Sequence, residues 1–152
     1  MKILFAAGLL LASAAALAAP KLPAAPPHPP ALKLIVERDS EALKPLTLCL
    51  TPNGRFAGAM HEEEATLSVS GSLQADRGLT RPILNVALEW RDDAGLQKLD
   101  SHLALEDGRM LLGSLWMQAH PYGREAGVEP QRSSLTFYLE PLAACPPPAP
   151  QP

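Results

Sequence analysis

The residues best equipped for chemistry in this chain of 152 amino acids are sulfur and imidazole donors in two short segments. Met60-His61 opens the first and is followed by Glu62-Glu63-Glu64; the second runs from Trp116-Met117 to His120. Thioether and imidazole ligands suit copper, so Met60, His61, Met117 and His120 would form a soft metal site if the fold brought both segments together. His61-Glu62 lacks the second histidine of an H-E-x-x-H zinc helix, and it leads into a strand-like pattern. The plainer expectation is a solvated acidic loop beside an edge histidine, with no metal and no other cofactor. His28 lies among prolines, with no companion ligand near it in the chain.

Nucleophilic chemistry has less to draw on. There is no G-x-S-x-G elbow, and no S-x-x-K follows the leader described below. Ser68, Ser70 and Ser72 alternate with apolar residues and read as the polar face of a strand, while Asp92-Asp93 reads as a turn. Neither a phosphate-cradling loop nor a dinucleotide glycine pattern is present. No catalytic residue is assigned, and the chain is not expected to be an enzyme.

The compartment is set by the N-terminus. Lys2 is followed by an uncharged run to Ala19, apolar from Ile3 to Leu11, and Ala16-Leu17-Ala18 supplies the small-x-small pattern of a signal peptidase site. Residues 1–18 are therefore expected to be a cleaved signal peptide, leaving no membrane span and delivering the rest to the periplasm or beyond the cell. Cys49 and Cys145 are the only cysteines, and in an oxidising compartment a disulfide between them is the expected state. The formal net charge of −3 becomes −4 once Lys2 is lost, too mild and too unclustered for a nucleic-acid binder.

These residues must be positioned by what lies between two proline-rich ends. Residues 19–30 and 146–152 are linker and tail, favouring extended polyproline conformations. Residues 31–145 follow a period of two rather than 3.6. Leu67, Val69, Gly71 and Leu73 alternate with Thr66 and the three serines; Leu84, Val86, Leu88 and Trp90 alternate with Asn85, Ala87 and Glu89. The same rule holds over residues 98–106, 134–140, 32–37 and 46–51. The fold expected is all-β, an antiparallel, Ig-like β-sandwich or a small barrel of seven or eight short strands with one disulfide.

Three turn signals suggest registers. Asp92-Asp93-Ala94-Gly95 sets Arg91 opposite Leu96, Leu88 opposite Leu99 and Glu89 opposite Lys98. Asp107-Gly108 sets Leu105 opposite Met110 and Leu99 opposite Trp116, extending a three-strand meander over residues 83–117. Pro52-Asn53-Gly54 would pair Leu50 with Phe56 and Leu46 with Met60. On this register Met110, Leu112 and Trp116 face inward, so Leu111, Leu115 and Met117 face outward as an apolar patch. Either the segment from His120 to Arg132 covers that patch or a partner does. The stretch Leu105-Glu106-Asp107-Gly108-Arg109-Met110-Leu111-Leu112-Gly113-Ser114-Leu115 resembles the DGxTxxxGG hairpin of outer-membrane secretins over eleven residues, with Ser114 in place of the second glycine. No activity is carried over from it. The leading expectation is a non-catalytic binding or accessory module of the cell envelope that meets a protein partner through Leu111, Leu115 and Met117. A periplasmic copper-type protein is the alternative, and a hydrolase or hydrolase inhibitor the third reading.

Overall fold

The computed structural model describes residues 28–62, 64–75, 78–119, 127, 129 and 131–147. The expected signal peptide, most of the 19–30 linker and His120 lie outside them. The alternating segments form strands throughout, and no helix occurs among the described residues. In chain order the strands are β1 (Ala31–Arg38), β2 (Glu41–Ala42), β3 (Leu46–Cys49), β4 (Arg55–Glu62), β5 (Ala65–Gln74), β6 (Ile83–Asp92), β7 (Gly95–Ala104), β8 (Met110–Ala119) and β9 (Gln131–Leu142).

They build two antiparallel sheets. The first has the order β2-β1-β9-β8, with β3 also pairing β1; the second is the meander β4-β5-β6-β7. Each sheet turns its apolar parity toward the other, as one-sided strands require. Leu32, Leu34, Val36, Leu135, Phe137 and Leu139 from the first meet Leu67, Val69, Leu84, Leu88 and Trp90 from the second in one buried cluster. Phe56 reaches this core over Gly71, where an added Cβ would collide with the phenyl ring, so the glycine makes the room. Arg38 lies over the Trp90 ring at 5.5 Å, while the indole Nε1 donates to Asp92 Oδ2 at 2.9 Å.

The β6–β7 hairpin has the expected register: Arg91 opposite Leu96, Leu88 opposite Leu99, Leu84 opposite Leu103, Glu89 opposite Lys98. Asp92 Oδ1 accepts from the Ala94 amide at 2.9 Å and closes the turn as an Asx motif. Two other expected hairpins do not form. β7 ends in the second sheet and β8 begins in the first, so Asp107-Gly108 turns a corner between sheets and the three-strand meander stops at β7. The secretin-like stretch is thus no hairpin. Likewise the 52–54 turn closes, with the Gly54 amide donating to Thr51 O at 2.8 Å, but β3 pairs β1 and β4 pairs β5. Turn chemistry reverses the chain; whether the next strand stays in the same sheet depends on which apolar face has a core left to cover.

Cys49 and Cys145 are joined, with Cα atoms 5.5 Å apart and a sequence separation of 96. Cys49 faces outward, as expected from its parity. Ala31 stands between Cys49 on β3 and Leu142 on β9 and is fully buried.

Candidate interaction surface

The outer face of the first sheet is built from alternate residues of β1, β9 and β8. Ladder register sets Ile35 beside Tyr138 and Tyr138 beside Leu111, then Thr136 beside Ser114 and Ser134 beside Trp116. Over this row lies Arg109, from the corner before β8. Its guanidinium sits 5.1 Å from the Tyr138 ring centroid. Nε donates to Glu140 Oε1 at 3.0 Å and Nη1 to Glu37 Oε1 at 3.1 Å. Lys33 Nζ approaches the other oxygen of Glu140 at 3.9 Å. The planar, five-donor fork of arginine is what lets one cation bridge two carboxylates and still stack on an aromatic ring. The hydrogen bond to Glu140 raises the Arg109 pKa above its ordinary value; desolvation opposes it, and the charges of Glu140 and Glu37 add to the rise. Ile35, on a nominally outward position, is only 5 % exposed amid this group. Paired carboxylates can do acid–base work when one is free to hold a proton; here a permanent cation ties both, which makes the cluster a clasp.

β8 carries the departure from the expected face. Its register with β9 slips between Leu111 and Gly113, so Leu112 is a bulge residue. Gly113 supplies the unusual backbone, at φ +150°, and the Leu99 side chain lies 3.0 Å from where its Cβ would stand. Ser101 Oγ donates to Leu112 O at 2.6 Å across the corner. One extra residue reverses the parity of everything after it. Leu111 points outward as expected, 59 % exposed, but Leu115 is 9 % exposed and Met117 packs half-buried against the core. Trp116, expected inside, is 74 % exposed on the outer face. Leu111, Leu115 and Met117 therefore share no face, and the outward apolar pair is Leu111 and Trp116. The signal for this was the glycine: a Gly inside an alternating strand marks a bulge.

The described members of the proposed metal set fall on both faces of the second sheet's edge strand and at the core rim. Met60 points into the core, with its neighbour His61 on the opposite face of β4, where Nδ1 lies 3.2 Å from Thr66 Oγ1. Met117 is at the rim of the same core, and His120 falls outside the described residues. Among the described residues no three His, Cys, Asp or Glu side chains gather as a metal site would require.

The outer face of the second sheet is polar. Ser68 stands beside Glu89 and Glu89 beside Lys98; Ser70, Ala87 and Asp100 make the next row, and Ser72, Asn85 and His102 the third. The small Ala87 leaves a shallow groove between these rows. Ser72 and His102 share a row, yet Asn85 stands between them and its Oδ1 pairs with His102 Nδ1. Two strand spacings, about 9–10 Å, separate the hydroxyl from the imidazole, far beyond nucleophile–base contact. Lys98 binds the Glu89 carboxylate directly and holds its pKa below the usual carboxylate range.

No protein-family model, curated protein or solved structure matches this chain.

Proposed function

We propose that this protein is exported and works in the periplasm or outside the cell as a non-catalytic binding or accessory module of the envelope. Its contact surface is the β8 side of the first sheet. One observation carries the reading: Leu111 and Trp116, 59 % and 74 % exposed, stand on the same face of a strand that contains no charged residue. Large apolar side chains left in water on one strand favour contact over chemistry, and tryptophan is the residue most enriched where binding energy concentrates. The leader-like N-terminus and the disulfide support export, since such a bond persists in oxidising compartments.

The test is a photo-reactive amino acid in place of Trp116 in living cells, with Leu96, 43 % exposed on the second sheet, as the control position. The expected result is a discrete adduct to an envelope protein from position 116, none from position 96, and a mature N-terminus at Ala19 by mass spectrometry. Failure of position 116 to capture any protein removes the surface; an uncleaved cytoplasmic product removes the compartment.

A further inference from the structure

We infer that β8 pairs edge to edge, antiparallel, with β8 of a second copy of this chain, about an axis close to Trp116. β8 ends its sheet, with β9 as its single ladder neighbour among the described residues. Sheet edges are ordinarily guarded by charge, proline or brevity. β4, the far edge of the other sheet, carries Arg55 and Glu62, and β7 carries Lys98 and Asp100. On the remaining side, β2 and β3 are two and four residues long. β8 spans ten residues, Met110–Ala119, without a charge or a proline. Among the described residues its one guard is the bulge, which occupies the first half: Leu112 is out of register and its carbonyl is taken by Ser101. No such block falls, among the described residues, on the stretch from Ser114 to Gln118.

A second copy fits this edge on symmetry and charge. A two-fold axis brings each residue near its own counterpart, so a strand with a charge at the axis would oppose like charges. With the axis at Trp116, each Ser114 faces Gln118 of the other copy on the outer side, and every pairing is neutral. On the inner side Leu115 comes opposite Met117 of the other copy. Met117 is the inward side chain that the single sandwich leaves half-buried at its rim, and the second copy would cover it. The outer faces remain on one side, so the two tryptophans stand adjacent and the contact surface is doubled. This inference does not depend on the envelope partner proposed above.

Sedimentation equilibrium of the oxidised, leader-free protein over a rising concentration series decides it. The expected result is a monomer–dimer equilibrium, with slowed amide exchange at residues 114–118 as concentration increases. Trp116→Lys and Trp116→Glu should each be monomeric and, at concentrations where the wild type is itself monomeric, should keep its unfolding midpoint, because the position is solvent-exposed in the single copy. Mixing the two variants should restore a dimer. A wild-type protein that stays monomeric at the highest attainable concentration overturns the inference, as does a dimer that survives Trp116→Lys or leaves those amides unprotected. Adducts from position 116 then separate the two ideas by mass: a doubled chain reports this edge, and a foreign protein reports the proposed partner.

Discussion

The two outer faces of this sandwich obey the same alternation rule and end up as different surfaces. On the second sheet the middle outward positions of β5, β6 and β7 are serine, asparagine, glutamate, lysine, aspartate and histidine around Ala87, with apolar Ile83 and Leu96 only toward the strand ends. On the first sheet the outward positions include Ile35, Tyr138, Leu111 and Trp116, with Lys33, Glu37 and Glu140 gathered into one clasp with Arg109. The difference lies in how each sheet is closed. The second is a meander of neighbours in sequence, with free outer positions that water can satisfy. The first joins the two ends of the domain, and the disulfide and the Arg109 clasp cross over it. Its outer side is partly a structural interior, and what remains uncovered is concentrated on β8.

If that contrast is correct, the largest effect should come from the strap. Replacing Cys49 and Cys145 together by serine removes a cross-link that closes 96 residues of sequence, and the stability should fall by about 4–5 kcal/mol on the chain-entropy account. Urea unfolding of wild type and variant under oxidising conditions measures it; a loss below about 1 kcal/mol would mean that the first sheet holds its ends without help. Next in size is a contrast inside β8. Leu115→Ala should cost about 2–5 kcal/mol, as for other buried leucines, whereas Leu111→Ala should stay within about 0.5 kcal/mol. Equal midpoints for the two variants would place the bulge elsewhere.

The smallest effect belongs to the polar face. Glu89, paired with Lys98, should titrate below the usual carboxylate range, a shift abolished by Lys98→Met and readable from the Glu89 side-chain resonances. Because the folded pKa lies below the unfolded one, the pair's slight stabilisation is present above the unfolded value. It disappears as pH falls through the folded value. An unshifted Glu89 would show that solvent screens this pair entirely.

The same division explains what was readable from the residues alone. The β6–β7 register and the Glu89–Lys98 pair followed from Asp92 to Gly95 because a tight turn and its flanking alternation are local. The disulfide followed from having two cysteines and one way to join them. The corner at Asp107-Gly108 was not readable in the same way: the dipeptide dictates a reversal, but the choice between pairing with β7 and crossing to β9 is made by apolar surfaces far away in sequence. Trp116 was misplaced for a related reason. Parity carried forward from Met110 holds only while the ladder is regular, and the single extra residue at Leu112 undoes it. Gly113, with its left-handed backbone, was the clue, but its meaning depends on β9, about twenty residues further along. The Arg109 clasp draws on β1, β9 and the corner before β8 and had no sequence signature.

The strap also sets how the molecule would carry tension. Ala31 and Leu142 are ladder partners, so the chain enters and leaves the domain at one place. A pull applied through the two proline-rich ends passes from Ala31 along β1, β2 and β3 to Cys49, then through the sulfur bridge to Cys145. Everything between the two cysteines lies on a covalent loop outside that path. Force could peel β1 away, but it could not draw out the meander, β8 or β9. Whatever β8 holds would be shielded from the mechanical load borne by its own linkers.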